Sequence, residues 1–165
     1  MRLLPAGLCC LQSTLSITER VFFLKRVPLF AQMSIENQAR IAAIAEESVF
    51  SKGEVLFRQG DVADGLYVLL DGEVAILLDG REINRMRLGE SFGEIAVLDQ
   101  GARTAGARAA SDVLCLRIGR AALADLMAAS AELRLGVVSE LALRLRTIRE
   151  RVRALREGEG STHIP

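Results

Sequence analysis

Half of the 165 residues are apolar, enough to bury the core of one ordinary domain plus an extra helix or two, so the chain is not a disordered tail. The 21 lysines and arginines balance 21 aspartates and glutamates, and overall charge therefore names no polyanionic partner. Cys9, Cys10 and Cys115 with the single histidine, His163, make neither a disulfide framework nor a four-ligand zinc set, which reads as a reduced cytoplasmic chain with no metal and no resident cofactor.

Met1 to Leu11 mimics a signal peptide only faintly: the apolar run is short, contains Pro5 and lacks a small-x-small cleavage site. No stretch approaches the roughly 18 unbroken apolar residues of a membrane-spanning helix. Residues 1–15 are expected to be a frayed lead-in, or the cut end of a longer protein. Ser16-Ile17-Thr18-Glu19 is a capping box, and Ile17, Val21 and Leu24 follow at helical spacing, predicting a helix to about Lys25 that stops before Pro28. Ser34 caps a second predicted helix whose apolar face, Ile35, Ala39, Ala42 and Ile44, reaches about Glu47.

From Val49 the texture changes. Glycines recur at short intervals between the strand-like runs Val55-Leu56-Phe57, Leu66 to Leu70 and Val74 to Leu78, with Asp71-Gly72 and Asp79-Gly80 as tight-turn dipeptides. A last strand is predicted from Val113 to Ile118. After Arg120 helix formers dominate, predicting helices from Ala121 to Ala129 and from Ala131 to Glu157, then a disordered tail at 158–165. The domains are therefore 16–130, a helix-flanked β-barrel or sandwich, and 131–157, one long helix.

Chemistry is concentrated between Gly89 and Ala105. Gly93 permits close backbone approach, and the stretch from Glu94 to Leu98 can form one short helix whose first amides suit a phosphate. Arg103 offers a planar fork of donors that matches phosphate oxygens. Glu94, repelled by that phosphate, would face a sugar hydroxyl. A surface Glu94–Arg103 salt bridge is the plainer alternative for the pair taken alone.

Three segments, in order, resemble the cyclic-nucleotide-binding domain family, which includes the bacterial catabolite activator and the regulatory subunit of the cyclic-AMP-dependent protein kinase. Gly53 to Asp61 resembles the family's first hairpin, and Leu66 to Val74 its next signature. Phe92-Gly93-Glu94-Ile95-Ala96, followed by Arg103-Thr104-Ala105, resembles its phosphate-binding cassette. The resemblance covers roughly residues 20–150 and implies an α+β, mainly β fold: a double-stranded, jelly-roll-like β-roll flanked by N-terminal helices and a long C-terminal helix. It implies cyclic AMP or cyclic GMP as ligand, with Glu94 accepting from the ribose 2′-hydroxyl. Arg103 would pair with the cyclic phosphate beside the amides of Gly93, Ile95 and Ala96. Thr104 would add a hydroxyl to phosphate or base, and Ile76 and Met86 would pack around the purine. Gly106 departs from the family, which usually carries Thr or Ser there, and is expected to loosen its strand.

Val138, Leu141, Leu145, Ile148, Val152 and Leu155 form a heptad seam along the long helix. It reads either as packing on the β-core or as a homodimer contact, and the resemblance favours the homodimer because the catabolite activator pairs through this helix. Arg144, Arg149, Arg151 and Arg156 are expected to flank the seam, at a cost of a few tenths of a kcal/mol per like-charge contact. With little sequence after the helix, the helix-turn-helix of DNA-binding relatives is not expected here. Enzymatic activity is not expected, since the β-region lacks the histidines of a cupin metal site and no nucleophile–base pair is visible. The reading is thus a non-catalytic cyclic-nucleotide sensor whose C-terminal helix shifts with ligand. A ligand-free scaffold, or a fragment of a larger transporter, channel or signalling protein, is the alternative.

Overall fold

The structure, a computed structural model, describes residues 15–99 and 101–159, without the side chains of residues 151 and 155–159. The expectations for the lead-in up to residue 14, the tail from residue 160 and the Leu155 side chain lie outside the described residues. Helix α1 (Ile17–Leu24) starts on the predicted capping box: Glu19 N–H donates to Ser16 Oγ at 3.3 Å and Ser16 N–H to the Glu19 carboxylate at 2.8 Å. A single turn that the sequence reading did not foresee, α2 (Pro28–Ala31), carries Pro28 in its first turn and buries Leu29 and Phe30. Helix α3 (Ile35–Ile44) starts at Ser34 as expected but ends three residues early. Glu46 and Glu47, read as helix, instead begin β1 (Glu46–Phe50), because laddering on a central strand outweighs local propensity. Arg20 secures this corner by donating to the carbonyls of Ala42 and Ala45 (3.2 and 2.6 Å) and to Glu47 (3.1 Å).

Eight strands form two antiparallel four-stranded sheets. They are β1, β2 (Val55–Phe57), β3 (Gly65–Asp71), β4 (Val74–Leu78), β5 (Arg81–Met86), β6 (Ser91–Phe92), β7 (Gly106–Ala109) and β8 (Val113–Gly119), with orders β1-β8-β3-β6 and β2-β7-β4-β5. This is the jelly-roll-like β-roll expected. Strand β3 reads as an unbroken apolar run from Leu66 to Leu70, and β8 as one interrupted only by Arg117, because both of their faces are largely covered. Leu66, Val68, Leu70, Leu114, Leu116 and Ile118 pack with the helices, whereas Tyr67, Leu69, Val113 and Cys115 fill the space between the sheets. Asp79 (φ 50°) and Gly80 (φ 78°) close the β4–β5 hairpin. Asp71-Gly72, by contrast, carries the chain from one sheet to the other. The segment likened to a first hairpin supplies β2, whose ladder partner is β7.

Between β6 and β7 lies α4 (Glu94–Leu98), and the roll is followed by α5 (Arg120–Ala129) and α6 (Ala131–Glu159). The α6 backbone thus runs through Gly158-Glu159, which were read as tail. Its first turn is clasped to α3. Glu132 accepts from Ser34 N–H (2.6 Å), Ser34 Oγ–H (3.0 Å) and Asn37 Nδ2–H (2.6 Å), and Asn37 and Ser34 lower its carboxyl from the usual value. Leu133 and Val137 are buried against the helical layer, whereas Val138, Leu145, Ile148 and Val152 are about half exposed or more. The long helix therefore anchors at its start and overhangs the roll beyond.

Candidate functional site

The segment singled out in the sequence forms one wall of a cavity of about 480 Å³. Gly93 takes φ 78° as the residue before α4, and no side chain caps that helix's first amides. Arg103 follows α4 by a short loop, and its backbone is pinned by two bonds: Arg103 N–H to Asp61 O and Gly60 N–H to Arg103 O, each 2.8 Å. The arginine is 2% exposed. Nη1 donates to Gly93 O (2.8 Å), and Nη2 donates to Asp64 Oδ1 (2.8 Å) and Gly65 O (2.6 Å). Nε is buried with no hydrogen-bond partner. A buried donor left unpaired costs about 1–3 kcal/mol, and an anion at the cavity wall would remove that cost.

Asp64 is the shared carboxylate of this corner, since Arg117 Nη2 also reaches its Oδ2 at 3.0 Å. Partial desolvation alone would raise its pKa. Hydrogen bonding and charge from Arg117, with the Arg103 bond, outweigh that and hold the carboxyl below its usual value. The Arg103 charge therefore keeps Asp64 as a counter-ion while its Nε stays unpaired.

Glu94, 4% exposed, is not bonded to Arg103, so the surface salt bridge weighed for this pair is not what forms. Its Oε1 accepts instead from Arg144 Nη1 of α6. Arg144 also donates to Glu140 (2.9 Å) and to Ser91 Oγ (3.1 Å). This corrects the placement of Arg144 on the outer flank of the seam: it points inward and joins α6 to α4.

The cavity brings together seven of the eight residues named from the sequence: Ile76, Gly93, Glu94, Ile95, Ala96, Arg103 and Thr104. Met86 does not line it. It is 8% exposed, lies opposite Val74 in the β4–β5 ladder and packs in the core between the sheets. On the same strand, Ile83 and Asn84 reach the cavity instead. The seam residues Leu141, Leu145 and Ile148 form the opposite wall, so α6 covers the cavity with apolar side chains. Sequence reasoning missed Phe57, Asp64 and the role of Arg144. For Arg144 the available signal was its position four residues after Glu140. At Gly106 a Cβ would make only ordinary contacts of 3.5 Å or more, so nothing in the packing demands glycine there.

Among the described residues no group of three His, Cys, Asp or Glu side chains could hold a metal ion. Burial pushes the Cys115 thiol up to about 12, which leaves it protonated and inert at neutral pH. No helix among the described residues is long and apolar enough to cross a membrane.

Fold and site together define the class: a β-roll with a glycine-led helix and buried arginine on one wall of a cavity, and a long helix on the other. The family described as "Cyclic nucleotide-binding domain" matches residues 47–130, half of the chain, and the chain belongs to that family. A cAMP-dependent protein kinase regulatory subunit of Emericella nidulans is 34% identical over 100 residues, 59% of this chain and 24% of that protein. The N-terminal domain of a transcriptional regulator from Streptomyces coelicolor superposes with a TM-score of 0.64 at 32% identity, covering 78% of this chain and 93% of that one. Thermus thermophilus catabolite activator protein gives 0.69 at 28% identity, over 78% of this chain and 63% of that one. The chain spans about a quarter of the length of the curated relatives it matches.

Proposed function

We propose that this chain is a cytoplasmic, non-catalytic sensor module that binds cyclic AMP or cyclic GMP in the cavity between α4 and α6. The observation that carries this is that a buried guanidinium, one N–H of which has no partner, and a buried carboxylate line the same cavity. Arg103 Nε and the α4 amides take the phosphate, and Glu94, with one oxygen occupied by Arg144, turns the other to the ribose 2′-hydroxyl. Thr104 adds a hydroxyl, while Ile76 on the roll and Leu141, Leu145 and Ile148 on α6 enclose the base. The names of several relatives, cAMP-dependent protein kinase regulatory subunits, support this ligand class. Thermal denaturation tests it: the midpoint should climb steadily with concentration of at least one of the two nucleotides. A midpoint unmoved by both would leave only a ligand-free scaffold.

Ligand signals through α6. Arg144 ties the residue that reads the ribose to the helix that covers the base, so capture of one favours the closed position of the other. Arg144→Gln is expected to lower affinity about tenfold by removing a charge-assisted bond to a buried carboxylate. Hydrogen exchange should show ligand-induced protection of residues 131–152 in the wild type and little in the variant. Equal protection in both would remove Arg144 from the coupling.

The overhanging part of α6 pairs with a second copy. Val138, Leu145, Ile148 and Val152 are exposed at heptad spacing, and an apolar stripe of this kind is stable when a matching stripe covers it. Val138→Glu with Val152→Glu, neither of which lines the cavity, should give a monomer by sedimentation while the wild type sediments as a dimer. A monomeric wild type would end this part of the proposal.

A further inference from the structure

We infer that Phe57 is the positioning residue for Arg103, an inference that rests on the cyclic-nucleotide reading above. Nothing in the sequence motifs assigned a role to this side chain. Its ring lies flat enough against the guanidinium to put Arg103 Cζ 4.0 Å from the ring centroid, within the range of a cation–π contact. Tyr67, the next ring, is 5.8 Å away.

The Nη1 edge of the guanidinium meets the bare backbone of Gly93. A Cβ there would stand 2.5 Å from Arg103 Nη1, 3.4 Å from Cζ and 3.5 Å from the Phe57 ring. The guanidinium is thus confined by an aromatic ring on one face and by a bare glycine backbone at one edge. The ring is itself braced, tilted at 32° against both Tyr67 (5.7 Å) and Phe92 (6.2 Å), which stack on each other.

The chain is bent to place it. The β2–β7 register slips between Val55, opposite Arg108, and Phe57, opposite Ala107, and such a bulge re-aims the side chain that follows it. The residues just beyond, Gly60 and Asp61, are those that pin the Arg103 backbone. One short segment therefore fixes the arginine at main chain and side chain together. Three hydrogen bonds fix the edge of the fork, and the ring fixes its plane. With that plane fixed, the unpartnered Nε–H keeps one direction, which is what a phosphate oxygen requires.

The test compares Phe57→Leu with a fluorinated phenylalanine introduced at position 57, which keeps the shape but weakens the negative face of the ring. In calorimetric titration with cyclic AMP and cyclic GMP, affinity for the bound nucleotide should fall about tenfold in Phe57→Leu and measurably in the fluorinated chain, whose melting midpoint stays at the wild-type value. Wild-type affinity in the fluorinated chain would overturn the inference. A second readout needs no ligand. The Arg103 Nε–H resonance should be displaced by the ring current in the wild type and return to the ordinary arginine position in Phe57→Leu; a resonance that does not move would also overturn it. If neither nucleotide binds the wild type, the proposed function fails, and the Nε–H resonance still decides whether the ring positions the arginine.

Discussion

Arg103→Leu is expected to lower affinity for the bound cyclic nucleotide by roughly thirty-fold to several hundred-fold. Truncating one partner of a buried charge pair costs about 2–4 kcal/mol, and each 1.4 kcal/mol is tenfold. The loss has two sources in this site. The phosphate loses a guanidinium that lines the cavity, and the Asp64 carboxylate loses one of its two guanidinium partners. The carbonyls of Gly65 and Gly93 also lose their donor, so the variant should melt below the wild type. Arg103→Lys separates the effects: it keeps a positive charge and cannot span Gly93 O, Asp64 and Gly65 O at once. Its affinity should fall between wild type and Arg103→Leu. Titration calorimetry with circular dichroism on all three decides the matter, and wild-type affinity in Arg103→Leu would remove this residue from the site.

Gly93→Val should cripple the same site through the backbone. A β-branched residue at φ 78° costs about 1–3 kcal/mol of stability from strain alone. Its Cβ would also fall 2.5 Å from Arg103 Nη1, so the guanidinium must leave its slot or the α4 start must shift. Gly80 provides the control, with the same φ of 78° and nothing within 4 Å of an added Cβ. In urea denaturation Gly80→Ala should show a strain cost alone and leave nucleotide affinity unchanged. Gly93→Ala should add to that cost a loss of affinity of about tenfold or more, and Gly93→Val a larger one. Equal affinities in Gly80→Ala and Gly93→Ala would show that the close approach to Arg103 has no consequence for binding.

What the sequence made legible follows from what each segment touches. Strands β3 and β8 could be read because burial on both faces writes an apolar run, broken in β8 only by Arg117. Strand β5 could not, because it is a sheet edge whose Arg81, Glu82 and Arg85 face water and resist edge-to-edge pairing. Strand β1 was half lost to the preceding helix, since the pairing of Glu46 with Arg117 lies 71 residues away. The cassette was visible because Gly93, Glu94 and Arg103 are neighbours in the chain as well as in space. Asp64 and Arg144 reach it from 39 and 50 residues away, and no local pattern records such a meeting. Met86 shows the limit of carrying a role over by position. It stands on β5, yet its side chain fills the core opposite Val74, and Ile83 and Asn84 take the cavity.

The α6 seam held two readings, packing on the roll and pairing with a second chain, and the first is what the structure shows. Leu133 and Val137 serve the helical core, Leu141, Leu145 and Ile148 roof the cavity, and the outer edges of the same stripe are exposed. A nucleotide that draws the roof down would therefore also move the surface offered to a partner.

Sensing by this chain turns on whether the Arg103 fork recognises a phosphate closed on its own ribose. Competitive titration of the full chain with cyclic AMP, cyclic GMP and uncyclised 5′-AMP asks this directly. One of the two cyclic nucleotides should bind saturably at one per chain, with 5′-AMP far weaker; heats indistinguishable from dilution for both cyclic nucleotides would contradict it.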